Sequence, residues 1–158
     1  MADKYADRIA ECVSQNIEYT DYGITLKNFR FWGSEFDVLH LDGSDYLYEY
    51  EIKTSIADYK ADFKKTVHQN RNKHEEIKKG RVNYFYFVFP YNMIPAGDVP
   101  DYCGVIYYTG NDIEIIREAP LLNKEVIPNR IELMHYMAEK LNSLIKKFKK
   151  NKMDSDGE

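Results

Sequence analysis

Residues 35–53, EFDVLHLDGSDYLYEYEIK, decide how the rest of the chain is read. Asp42-Gly43-Ser44-Asp45 is a turn sequence between two runs of β-formers, so a hairpin is predicted with strands over 35–41 and 46–53. Side chains alternate along a strand. Tyr46, Tyr48, Tyr50 and Ile52 therefore share one face, and Leu47, Glu49, Glu51 and Lys53 share the other. Asp37 stands between Phe36 and Val38, inside a strand, where aspartate is usually depleted. Normal hairpin pairing brings it near Glu51 and Lys53. Two carboxylates and an ammonium then converge at a strand end, facing a cleft and adding little to the core.

Upstream, Lys4 to Glu18 reads as a helix with Ile9, Cys12, Val13 and Ile17 at helical spacing. Gly23 ends it, and Ile24 to Trp32 reads as a strand. Downstream, Ser55 is an N-cap with Asp58 three residues on, and a single long helix is predicted from there to Lys79, closed by Gly80. Its buried stripe is Tyr59, Phe63, Thr66 or Val67, Asn70, His74 and Ile77. On such a helix Lys60, Lys64, His68 and Arg71 fall at i, i+4, i+8 and i+11, a stripe suited either to DNA phosphates or to plain solvent. Val82 to Phe89 is an apolar central strand, and 91–102 is an irregular loop in which Met93, Ile94 and Val99 are the candidate exposed apolar patch. Cys103 to Tyr108 and Asp112 to Glu118 form a second hairpin around Thr109-Gly110-Asn111. Pro120 to Pro128 connects to a closing helix over Asn129 to Lys150. The order is αβββαβ, a loop, then ββα: one α/β domain over 1–150, with 151–158 a disordered polar tail.

Composition agrees with a globular chain. Of 158 residues, 44% are apolar, 30% charged and 15% aromatic. No apolar run reaches the roughly 20 residues of a membrane span, and the opening MADKYADRIAEC has no apolar signal region. Cys12 and Cys103 lie far apart with no metal-like spacing, so a reduced, cytoplasmic setting is expected and disulfide and zinc scaffolds are excluded. The net charge is −4, unlike most simple nucleic-acid binders. Between Lys53 and Arg81, however, nine basic residues face four acids. Local basic and acidic districts can hold a phosphate track and a metal site in one chain.

Carboxylate oxygens suit Mg²⁺ or Mn²⁺, which take one or two from a protein and leave the rest to water and phosphate. A lysine beside such an ion offsets charge developing on phosphorus. Asp37 followed by Glu51-x-Lys53 at a strand end and then a basic helix resembles the PD-(D/E)xK (restriction-endonuclease-like) nuclease superfamily. The run YEIKTSIADYKADFKKTVHQNRNKH (50–74), with its Lys73-His74 pair, VFPYNMIPAGDVPDYCGVIYY (88–108) and REAPLL (117–122) resemble its phage and bacterial MmcB-type DNA-repair branch. Together these span roughly Glu11 to Leu122.

The resemblance implies a restriction-endonuclease-like core, a mixed central sheet flanked by helices, and a metal-dependent endonuclease acting on DNA. By position, Asp37 and Glu51 would be metal ligands, with the Ile52 carbonyl, and Lys53 the catalytic lysine. Glu11 would be the extra acid that many members present to the metal, and Gln69 a helix polar group that orients the site. Phe36 stands where the motif has proline, and Glu35 and Glu49 compete for acid roles. The alternative is a catalytically inactive DNA-binding or protein-interaction module on the same fold, or a solvated cross-strand charge set. DNA is the expected partner and no membrane is; a homodimer is left open. His74 reads as a core histidine. Tyr91 and Tyr102 are loop residues able to stack on bases. No reader module is recognisable, so recognition of backbone shape is expected.

Overall fold

The computed structural model describes residues 3–20, 23–31, 33–125 and 130–155. Trp32, Pro128, Asn129 and 156–158, which carry the ends of expected elements and part of the expected tail, lie outside the described residues. Where the sequence reads as one domain, the chain divides into two compact units, Met1–Ile127 and Pro128–Glu158.

The first unit is built on a mixed six-stranded sheet, as the α/β reading expects. Helix α1 (Lys4–Thr20) is followed by β1 (Gly23–Phe31), β2 (Ser34–Asp42) and β3 (Leu47–Ile52), which form an antiparallel meander. The predicted turn is present: the Asp42 carboxylate accepts from the amides of Ser44 at 2.8 Å and Tyr46 at 2.9 Å. A crossover over residues 53–83 then leads to β6 (Tyr84–Pro90), parallel to β3. A second crossover leads to β7 (Gly104–Tyr108), parallel to β6, and β8 (Ile113–Arg117) closes the edge antiparallel to β7. The spatial order is β1-β2-β3-β6-β7-β8.

Both faces of the sheet are covered, which is why β3 and β6 are buried on both sides. On one face, Ile9, Ala10, Val13 and Ile17 of α1 pack against Val38, Tyr50, Ile52, Tyr86 and Val88. The other face carries the phenylalanines of β6. Phe87 lies 5.1 Å from Tyr59, ring centre to ring centre, and 5.7 Å from His74.

The first crossover differs from expectation. The single long helix is instead α2 (Ile56–Asp62), a small hairpin of β4 (Thr66–Val67) and β5 (Arg71–Asn72), and α3 (Lys73–Lys78). Ser55 does cap α2, accepting from the Asp58 amide at 3.1 Å. Asn72 ends the excursion: its Oδ1 accepts from His74 and Glu75 amides, and its Nδ2 donates to the Phe63 carbonyl at 2.9 Å. The caps at both ends and the buried partners of Asp62 and Lys73 outweigh the weak helix propensity between them, where Thr66, Val67 and Asn70 are poor formers. Lys60, Lys64, His68 and Arg71 are all exposed, but they lie on α2, its exit and the hairpin, not on one helical stripe.

The second crossover, 91–103, holds one turn of 3₁₀ helix at Ala96–Asp98. Ile94 and Val99 are buried there, so they form no exposed apolar patch. The loop is tied down by Arg117 of β8, whose guanidinium donates to the carbonyls of Ala96, Val99, Pro100 and Cys103 at 2.7–3.1 Å. Tyr59 Oη donates to the Asp98 carbonyl at 3.3 Å, linking the loop to α2.

The second unit holds α4 (Arg130–Ser155). It runs five residues beyond the expected end at Lys150, so 151–155 are helical rather than a disordered tail. Asn151 to Ser155 contain no glycine or proline to stop the helix. No helix among the described residues is long and apolar enough to cross a membrane.

Arg117→Met keeps the aliphatic stem and strands four carbonyls. Stability should fall by about 2–4 kcal/mol, with amide exchange accelerating over 94–103 and not in β3. Uniform acceleration along the chain would show that the guanidinium does not act on the loop.

Candidate active site

Strand alternation puts Glu49, Glu51 and Lys53 on the face of β3 away from α1, and the sheet order puts β2 and β6 on either side of them. These groups do not line an open cleft. Glu51 is 4% exposed and Lys53 2%, beneath the first crossover. Charges at that depth must be paired, because desolvation costs each one several kcal/mol.

The pairing is dense. Glu51 Oε1 lies 2.7 Å from Lys53 Nζ and 3.6 Å from Lys65 Nζ, and its Oε2 lies 2.9 Å from Lys73 Nζ. Asp62, at the end of α2 and 0% exposed, meets Lys53 at 2.9 Å, Lys65 at 3.1 Å, Lys73 at 3.2 Å and His74 Nε2 at 2.8 Å. Glu49 takes Arg81 at 3.2 Å on both oxygens, and Arg81 also donates to Ser34 Oγ and covers the Phe36 ring at 5.0 Å. His74 Nδ1 stands 3.0 Å from Tyr102 Oη. The Nε2–H tautomer satisfies both contacts, donating to Asp62 and accepting from the tyrosine. His74 is the satisfied core histidine expected, and Tyr102 is spent on it.

Asp37 is held differently. Its Oδ2 accepts from the Ile52 amide at 2.8 Å, extending the β2–β3 ladder beyond the Val38–Tyr50 pair. That explains an aspartate inside a strand: its side chain replaces a backbone acceptor. Burial, and next the Glu51 charge, raise its carboxyl to about 6, against the lowering pull of the Ile52 amide, Lys53 and Lys73. Burial also opposes ionisation of Asp62, but His74, Lys73 and Lys53 overcome it and hold that carboxyl far below the usual range. Burial likewise disfavours the ammonium of Lys53, yet Glu51 and Asp62 more than offset it and keep its pKa above the ordinary lysine value.

Of the residues expected from sequence, Asp37, Glu51, Ile52 and Lys53 are thus brought together. Glu11 is not among them: it is exposed on α1, bonded to Lys27 of β1 and to Gln15. That pairing lowers its pKa, with the Lys27 hydrogen bond the largest cause. Glu35 is exposed and pairs with Arg30 at 3.4 Å. Gln69 is exposed on the hairpin and bonded to Arg71 at 2.9 Å. Asp62, Lys65 and Arg81 were not singled out by sequence. For Asp62 a signal existed, since it adjoins Phe63 on the expected apolar side of its helix.

Among the described residues, no three His, Cys, Asp or Glu side chains are grouped to hold a metal ion. Asp37 and Glu51 are two hard oxygen donors that repel one another, of the chemistry Mg²⁺ or Mn²⁺ takes, and both oxygens of Glu51 are paired with lysines.

No protein-family model and no curated protein matches the chain. A solved structure of a protein of unknown function from Silicibacter pomeroyi is similar in fold, with a TM-score of 0.60 over 88% of this chain and 87% of that one, at 21% identity.

Two predictions follow from the charges. A carboxyl raised in the folded state contributes stability that is present below its unfolded pKa and lost as pH climbs through about 6. Asp37→Asn keeps the acceptor for Ile52 and removes the charge, so it should out-melt the parent at pH 7.5 by about 1–2 kcal/mol and match it at pH 4. The same difference at both pH values would remove the repulsion from the account. Lys53→Met should instead cost about 3–5 kcal/mol by leaving buried carboxylates underpaired. A melting temperature near the parent's would return Lys53 to a solvated strand end.

Proposed function

We propose that this chain is a divalent-metal-dependent deoxyribonuclease, an endonuclease on a restriction-endonuclease-like core of the PD-(D/E)xK type, with a phage or DNA-repair role. The observation that carries it is the meeting of Asp37, Glu51 and Lys53 at the end of β3, with Asp37 raised to about 6 by burial and by its neighbour's charge. The element order supports it too: a helix, a three-strand meander, a helical crossover and a parallel strand.

Mg²⁺ or Mn²⁺, held by Asp37, Glu51 and the Ile52 carbonyl, would supply a Lewis acid and a more acidic water. Lys53, clamped by Glu51 and Asp62, keeps a positive charge beside these oxygens to oppose charge growing on the phosphate. Asp37 is the least buried of the three, so it marks the side from which a phosphodiester approaches. The exposed Lys60, Lys64, His68 and Arg71 lie on the first crossover and meet the DNA, the two lysines at its phosphate backbone.

A second reading has one observation in its favour. Lys53 and Lys73 already occupy both oxygens of Glu51, which suits a DNA-binding module that does not cut.

The experiment is a cleavage panel of linear, supercoiled, single-stranded and branched DNA with Mg²⁺ or Mn²⁺. Cutting should require the ion and fall about a hundredfold or more in Asp37→Asn, which remains folded. DNA binding without cutting at millimolar metal would select the second reading. Absence of both binding and cutting would sink the two together.

A further inference from the structure

The roots of the hairpin that interrupts the first crossover are accounted for by Lys65 and Lys73, which both reach Glu51 and Asp62; its tip, 68–71, takes no part in those contacts. The turn at that tip is tight, with two consecutive residues at positive φ. Gln69 sits at φ 61°, ψ 31° and Asn70 at φ 57°, the left-handed region. Asparagine tolerates it; glutamine pays for it in steric strain where glycine would not. Such a residue at an exposed tip points to a role for its side chain.

The tip's chemistry is specific. His68, Gln69, Asn70 and Arg71 are consecutive and all exposed. Arginine pairs bidentately with guanine, and asparagine or glutamine with adenine, in the major groove. Arg71 is pre-oriented, since Gln69 Oε1 and Glu76 hold two of its nitrogens at 2.9 and 3.3 Å. His68 lies against the β1–β2 turn: a Cβ on Gly33 would sit 3.7 Å from its Nδ1.

The two roots of the hairpin are anchored in the charge cluster. Lys65, just before β4, meets Asp62 at 3.1 Å and Glu51 at 3.6 Å. Lys73, just after β5, meets Glu51 at 2.9 Å and Asp62 at 3.2 Å, and its amide donates to the Lys65 carbonyl at 2.9 Å. From root to tip each arm spans about 10 Å, three residue steps of roughly 3.3 Å. A two-stranded ribbon of that reach matches a major groove about 8.5 Å deep.

We propose that residues 66–72 form a reading finger that enters the major groove of duplex DNA, with Gln69, Asn70 and Arg71 contacting base edges and the roots fixing those contacts in register with Asp37 and Glu51. This rests on the DNA reading above. It replaces recognition of backbone shape alone with a preference for base sequence.

The test is selection of full-length protein on a randomised 20-base-pair duplex library. It is run in EDTA, and again with Mg²⁺ on the Asp37→Asn background that is expected not to cut. The comparison is a double variant, Gln69→Gly with Asn70→Gly, which removes the side chains and relieves the backbone strain, so folding is not the obstacle. The parent should enrich a preferred sequence by about tenfold or more over the pool. The double variant should melt no lower, keep the parent's salt dependence and lose that enrichment. A parent that binds all sequences equally overturns the finger and leaves the DNA reading standing. Enrichment retained in the double variant overturns it as well, and no DNA binding by the parent overturns both.

Discussion

Two lysine ammonium groups and three carboxylates share one buried space beneath the first crossover, and most of what is unusual in the chain answers to that constraint. Lys53 and Lys73 are each nearly inaccessible, as are Glu49, Glu51 and Asp62. None could remain charged alone at that depth. Their mutual contacts determine where α2 stops, where α3 starts and which way the segment between them must turn. The hairpin exists because Lys65 and Lys73 must reach the same two acids from opposite sides of a connection.

Such clusters specify more than they stabilise. Replacing an ion network by well-packed apolar residues is often neutral or better for stability. What the network does define in this structure is position. The positions it holds are those of a carboxylate pair and one ammonium at a strand end, with Tyr102, His74 and Asp62 forming a hydrogen-bonded line from the second crossover to Lys53.

The sheet was legible because its signals are local. Alternation in 46–53, the Asp42 turn and the apolar run 84–90 each depend on neighbours in sequence. So was the convergence of Asp37 with Glu51 and Lys53, which needs only pairing and period. The broken crossover was not legible. Its helical periodicity is real over 56–62 and 73–78, and no glycine or proline stands between to announce the break. The break comes from tertiary partners, and a sequence window does not contain them. Burial of Glu51 and Lys53 was missed for the same reason, since two charges beside a hairpin read as a wet edge until something folds over them. Glu11 stands apart from the β3 acids because α1 packs on the opposite face of the sheet, where Lys27 of β1 pairs with it.

The grip of Arg117 on the second crossover has a bearing on how the chain assembles. Four carbonyls between Ala96 and Cys103 wait for a donor that is synthesised 14 residues or more after them. Strand β7 can meet β6 only through that segment, and parallel pairing closes late because its partners are far apart in sequence. Until β8 has emerged and turned back, the connection between β6 and β7 has its own turns and the hydroxyls of Tyr59 and Tyr107, on the carbonyls of Asp98 and Ile94, to hold it. The edge strand, which adds least to the core, is in this sense the last stitch, and a chain released before it would carry an open sheet with four carbonyls of its crossover lacking their guanidinium.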